Sequence, residues 1–365
     1  MTAPAAAPAE PQEQAVTRRP WRLTAVPYPL LVAVLAVLLF VSLLTATGIG
    51  PVHVAAGEVA GILWHHLAGG PETTPTADLI VWRLRLPRVL LAAVVGAGLA
   101  LAGAVVQGVV RNPVADPYLL GLSSGASVGA VAVITTGTAL LGAVTLPLAA
   151  FAGAAVSMAI VLVLARSRGR LLPLRLILVG VTCGHLFAGV TSFMLAGSES
   201  SAAQQQIIFW LLGGLSGAQW ASLPVPAAVV GVCALVLLLR ARRLNVLVLG
   251  EEACAALGVN ASRMRWQLLL LTTALTGTVV AVSGGIGFVG LIIAHLARMI
   301  VGADHRRMLP ITVLLGALFL VWSDVAARML RSPAELPIGI LTAFLGVPFF
   351  LLVMHARGLA AEGTS

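Results

Sequence analysis

A chain of 365 residues that is 59% hydrophobic and only 10% charged, with a mean hydropathy of +1.03, has too little polar surface to coat a water-soluble globule. Its formal charge is +9, and all 22 basic residues are arginine. A lysine-free chain cannot carry the phosphate-binding loop GxxxxGK followed by Ser or Thr, and arginines scattered between apolar runs do not form a nucleic-acid stripe.

Residues 1–27 begin with an Ala- and Pro-rich stretch that cannot bury enough apolar surface to fold, and they read as a disordered cytoplasmic tail. The run from Pro29 to Thr47 is too long for a signal-peptide core and reads as the first membrane helix. Crossing roughly 30 Å of hydrocarbon takes about 20 apolar residues. Ten stretches qualify, at 28–48, 89–110, 118–137, 141–165, 173–197, 222–240, 264–283, 286–301, 308–328 and 336–355, the eighth being short. They predict an all-α membrane protein with a single domain over 28–355 and a cytoplasmic tail at 356–365. The apolar piece Ile207–Leu215 is too short to span and is expected to be re-entrant or interfacial.

With the N-terminal tail inside, 17 arginines fall on the cytoplasmic side and only five outside, namely Arg83, Arg85, Arg88, Arg328 and Arg331. That bias puts both termini in the cytoplasm. The predicted spans are nearly free of acids. Asp324 is the main exception, and its place four residues before Arg328 favours a structural pair over a proton relay. Cys183, Cys233 and Cys254 fall in two apolar runs and one loop, with no CxxC spacing, so neither a disulfide framework nor a zinc site is expected.

Three stretches carry more than packing. In Arg85–Gly129, small residues recur at four-residue spacing, as at Gly98 and Ala102 or Gly121 and Gly125, and Asn112-Pro113 and Asp116-Pro117 break the chain at the cytoplasmic end. In Leu249–Val259, Glu251 and Glu252 suit the positive end of a short helix that Gly258 can stop. Such a helix docks into a partner's groove or lies on the membrane surface. In Ser283–Phe350, Gly284, Gly285, Gly287 and Gly290 permit a sharp reversal and close helix approach.

Together RLPR, QGVVRNPVADPYLLG, LGEEACAALG, GFVGLIIAHLAR and ELPIGILTAFLGVPFF, in that order, resemble the FecCD permease family of binding-protein-dependent ABC importers for iron–siderophores, haem and cobalamin. The resemblance covers roughly residues 28–355 and implies the type II ABC importer permease fold, a second permease copy or paralogue, two cytoplasmic ATPase subunits and an extracytoplasmic substrate-binding protein. ATP and Mg would then sit on the ATPase, and no cofactor or metal on this chain.

By the same resemblance, Arg85, Arg88 and Arg328 receive acidic residues of the binding protein, with snorkelling anchors as the alternative. Coupling helices at about 244–262 contact the ATPase through Gly250, Glu251, Glu252, Ala253, Leu257 and Gly258. The translocation path and its inner gate take in Gln107, Asn112, Pro113 and Val114, and also Pro173 and Leu174, where relatives carry small polar residues instead. Gln107, Cys183, His185, Met194 and His295 could be read as haem ligands, but His185 reads better as helix packing and His295 belongs to the family pattern, with Ala294 replacing its usual Pro. The expected function is an ATP-driven importer permease for an iron–siderophore complex, in the cell membrane. Haem and cobalamin are the alternative cargoes, and an ion-coupled carrier is the alternative of a different class.

Overall fold

The computed structural model describes residues 26–69, 74–138, 140–167, 170–332 and 334–362. Most of the expected disordered tail at 1–27 lies outside the described residues, as do 363–365. The chain is almost entirely helical: α1 (Tyr28–Gly48), α2 (Ala56–Ala68), α3 (Pro75–Asp78), α4 (Leu86–Val110), α5 (Leu122–Thr136), α6 (Thr145–Ala165), α7 (Pro173–Ala196), α8 (Ser201–Leu212), α9 (Pro224–Leu239), α10 (Ala241–Leu249), α11 (Glu251–Ala256), α12 (Ala261–Ser283), α13 (Val289–Val301), α14 (His305–Met329) and α15 (Ile338–Glu362). A wide-pitched π turn, Leu79–Arg85, joins α3 to α4, and a two-residue β bridge pairs Arg166–Ser167 with Arg170–Leu171.

Seven helical stretches are long and apolar enough to cross a membrane, and α5, α13 and the first part of α15 are shorter apolar helices. The chain is therefore a multi-pass membrane protein. Local chemistry shortens two of the expected spans. The stretch 118–137 starts with a tight turn, Pro117–Leu120, and Gly121 at φ 75° delays α5 to Leu122. The stretch 286–301 starts as a helix only at Val289, because Gly284 (φ 65°) and Phe288 (φ 67°) hold the intervening backbone outside the right-handed helical region. The apolar piece Ile207–Leu215 contributes to α8, which ends at Gly213.

The centre of the bundle is α4, nearly all of whose residues are buried. It has few large side chains, and glycines let backbones touch. A Cβ on Gly96 would lie 2.1 Å from the Gly316 carbonyl oxygen of α14, and one on Gly103 would lie 2.3 Å from the Gly290 carbonyl oxygen of α13. The same device joins α5 to α6, where a Cβ on Gly153 would meet the Gly125 carbonyl oxygen at 2.2 Å. In contrast, α7 keeps only Leu176, Gly180, Cys183 and Thr191 buried, and Leu178, Leu186 and Phe193 stand bare.

The amphipathic helix α2, which span-length reasoning does not find, packs Val59 and Ile62 against Ala77 and Val81 near the N-terminal end of α4. Trp82 stacks on His66 with ring centroids 4.0 Å apart, and its carbonyl accepts from Trp220 Nε1 at 2.9 Å.

Candidate functional site

The LGEEA region is two helices. Gly250, at φ 116° and ψ 179°, sits in a conformation that only glycine tolerates and separates α10 from α11. The first turn of α11 carries Glu251 and Glu252, which complement its dipole. Its end is closed by Gly258 at φ 68°, with the Val259 N–H donating to the Cys254 carbonyl at 2.7 Å. Glu252, Leu257 and Gly258 are exposed, Glu251 and Ala253 half-buried. Cys254, in the loop between two spans, is a buried residue of the short helix expected there.

Three ties fix this segment to the membrane helices. Buried Arg265 of α12 donates through Nη1 to Glu251 Oε1 at 2.6 Å and to the Leu171 carbonyl at 3.1 Å. Asn245 of α10 donates from Nδ2 to Asp304 Oδ1 at 2.7 Å, while its Oδ1 accepts from the His305 backbone N–H at 2.9 Å. The hydrogen bond from Asn245 and the Arg306 N–H hold the Asp304 carboxyl below the usual range. Thirdly, Gly108 of α4 faces His305 Nε2, Leu244 and Val248, and the Arg111 guanidinium reaches Gly250. None of Arg265, Asn245 or Asp304 has a local motif to announce it. Their partners lie 14 to 94 residues away.

The expected inner gate lies at this same end. Arg111 caps α4 in the left-handed conformation at φ 56°, and the Asn112 side chain accepts from the Val114 N–H at 3.0 Å, folding NPVAD into a turn. Asn112, Pro113 and Val114 are half-buried. Asp116 accepts from the Tyr118 N–H at 2.8 Å, and burial pushes its carboxyl up to about 6 against the N–H groups of Tyr118 and Leu291. Gln107 is buried and accepts from Arg298 Nη2 at 2.9 Å. Pro173 opens α7, half-buried, and Leu174 is exposed.

At the opposite end, the three expected docking arginines are not free surface charges. Arg85, Arg88 and Arg328 are 7%, 8% and 3% exposed. Arg88 donates from Nε to Asp324 Oδ1 at 2.8 Å and from Nη1 to Glu335 Oε1 at 2.8 Å. Arg328 Nε lies 3.1 Å from Asp324 Oδ2, and its terminal nitrogens reach the carbonyls of Ile49 and Ala46 at 3.0 and 3.2 Å. Arg85 donates to the carbonyls of Gly48 and Val52 at 2.9 and 2.5 Å. Lodged at the buried end of the bundle, these guanidiniums take the acceptors at hand, the frayed end of α1 and the acids of α14 and of the loop before α15. The expected Asp324–Arg328 pair is present, and Arg88 joins it. Arg83 and Arg331 are the exposed arginines near this end.

At this end, Arg88 and Glu335 border a hollow of about 430 Å³ that Trp210, Gly213 and Ser283 also line. The residues whose chemistry would suit haem ligation do not converge. His185 is exposed on α7, contrary to a packing role within one chain, and buried His295 meets Phe349 edge-on at 6.3 Å. Among the described residues, no three His, Cys, Asp or Glu side chains gather as a metal site.

Known proteins resemble this chain over most of its length. An uncharacterized ABC transporter permease of Bacillus subtilis is 41% identical over 87% of this chain and 90% of its own. A cobalamin import permease of Halobacterium salinarum is 43% identical over 80% and 77%. A hemin transport permease of Yersinia pestis is 43% identical over 78% and 86%, and other relatives are named for molybdate and iron(3+)-hydroxamate import. A solved inward-facing structure of a metal-chelate type ABC transporter superposes with TM-score 0.79 at 35% identity, covering 90% of this chain and all of that one. These relatives are permease subunits rather than enzymes, and the chain belongs to the FecCD transport family, whose model matches residues 26–356.

Proposed function

We propose that this chain is the membrane-spanning permease of an ATP-driven importer, crossing the cell membrane ten times with both termini in the cytoplasm, and that its path carries an iron–siderophore complex. The observation that carries this reading is the suspension of α10 and α11 from α4, α12 and α14 at the same end as the NPVAD turn. An ATPase that gripped exposed Glu252, Leu257 and Gly258 would pull on the helix ends that frame the gate residues Asn112, Val114 and Pro173.

The bare face of α7, with Thr182, His185, Gly189 and Ser192 exposed at helical spacing, suits one wall of a path completed by a second permease copy. A pair of ATPases below and a binding protein above complete the transporter. The binding protein would rest on the outer rim that Arg85, Arg88 and Arg328 brace, with Arg83 and Arg331 supplying charges that face outward. Asp324, locked between two arginines, is poorly placed to carry a coupling proton.

The test is uptake into vesicles holding the permease, its ATPase and its binding protein. ATP-dependent accumulation of a ferric hydroxamate, unaffected by collapsing the proton gradient, is expected. Uptake of cobalamin or haem with no ferric hydroxamate transport would replace the cargo, and gradient-driven uptake without ATPase would overturn the mechanism.

A further inference from the structure

Between the inner end of α9 and the start of α12 lies a hollow of about 540 Å³ whose arginines have no part in the coupling or gating roles. Arg240, Arg243 and Arg263 line it. Among the described residues no carboxylate pairs with any of the three. Arg240 donates through Nη1 to Gln267 Oε1, which fixes that guanidinium at the wall, and the Asn260 side chain caps α12 through the Arg263 N–H at 2.9 Å. Three positive charges therefore converge on one cavity, and among the described residues no carboxylate is paired with them, an arrangement whose mutual repulsion calls for an anion.

What stands beside the hollow narrows the choice of anion. Leu235 and Leu239 of α9 and Leu270 of α12 are 58%, 77% and 57% exposed. On α12, Arg263, Gln267 and Leu270 follow one another at helical spacing, so the charged wall runs directly into a bare apolar strip. A free phosphate would use the charges and leave the strip idle. A phospholipid uses both, its phosphate in the hollow and its acyl chains along the strip.

We propose that Arg240, Arg243 and Arg263 form a binding site for the phosphate headgroup of an anionic phospholipid of the cytoplasmic leaflet. The other rim of the hollow is Leu257 and Gly258, at the end of α11, so an occupied site abuts the surface expected to meet the ATPase.

Native mass spectrometry of the full chain in detergent tests this. Phosphatidylglycerol and phosphatidylcholine of identical acyl chains are the lipid probes, and inorganic phosphate is the competitor. Phosphatidylglycerol should stay bound to the wild type in preference to phosphatidylcholine. Each arginine near a lipid headgroup is worth about a fivefold change in affinity, so R240Q/R243Q/R263Q should lower phosphatidylglycerol affinity roughly a hundredfold. The control R306Q/R307Q, at exposed cytoplasmic-side arginines elsewhere, should leave it unchanged. Equal retention of the two lipids by the wild type would overturn the proposal without any variant having to fold. Equal losses in the two variants would overturn it too, and displacement by millimolar phosphate would replace the lipid with a free anion.

Discussion

Asp324 is wholly buried, its carboxylate shared by Arg88 at 2.8 Å and Arg328 at 3.1 Å, and among the described residues Glu335 is the other acid in the cluster. The substitution Asp324→Asn keeps its shape and removes its charge. Arg88 would then rely on Glu335 alone, whose side chain is 39% exposed, and Arg328 on the backbone carbonyls of Ile49, Ala46 and residue 324. Removing one partner of a buried ion pair while the other stays charged costs about 3–5 kcal/mol. Partial access of water to Glu335 brings this towards the lower end, about 3 kcal/mol. Because α1, α4, α14 and the loop before α15 meet here, the loss should appear as a fall in thermal midpoint of about 4 °C for the purified chain in detergent. The double variant Asp324→Asn/Arg328→Met, which removes the stranded charge as well, should recover part of that fall, a coupling of about 1–3 kcal/mol. A midpoint within about 1 °C of wild type, or strictly additive losses in the double variant, would refute the idea that this cluster braces its end of the bundle. An unchanged midpoint with abolished transport would instead make Asp324 a proton carrier.

Gly103→Ala should force α4 and α13 apart and cost about 1–3 kcal/mol, whereas Gly61→Ala in α2, where nothing lies within 4 Å, should leave the midpoint unchanged or raise it; both are read by thermal unfolding. Exposed Glu252→Arg should abolish ATPase co-purification without lowering the midpoint, while Glu251→Arg should lower both because Arg265 is left buried beside a like charge. Arg83→Glu with Arg331→Glu should weaken binding-protein docking in low salt and have little effect in high salt, measured by surface plasmon resonance. The raised Asp116 carboxyl has a definite sign. From about pH 4 to about pH 6 the folded chain holds a proton there that the unfolded chain releases, so this residue's contribution to stability falls as pH rises through that window. Asp116→Asn should remove that component from a pH series of thermal midpoints.

Much of the helical order was legible because apolar runs and glycine spacing are local signals. α1, α6, α7 and α14 lie within a few residues of the stretches that hydropathy picks out. Local chemistry also announced Gly258 as a stop. What sequence could not show is where a charge ends up once the bundle closes. Arg88 meets Asp324 and Glu335 across 236 and 247 positions, and no pattern around RLPR distinguishes a guanidinium that faces out from one that faces in. The same holds for Arg265 and for the Asn245–Asp304 tie. α2 escaped notice because its 13 residues mix Glu58, His65 and His66 with apolar positions, too short and too polar for a span. Motif resemblance picks out the LGEEA segment but not its division into two helices, which depends on one backbone conformation at Gly250.

The glycine contacts of α4 bear on its stiffness. At 1.5 Å per residue the helix is a rod roughly 37 Å long, fixed by Arg88 near one tip and touched by Leu244 and His305 near the other. Between the tips it runs through two tight bearings, Gly316 and Gly290, where backbone lies on backbone and no flexible side chain can absorb a displacement. Such a rod has almost no lateral compliance. A load applied to α10 would therefore reach the end of α4 that carries Arg88 as a joint movement of α4 and its neighbours.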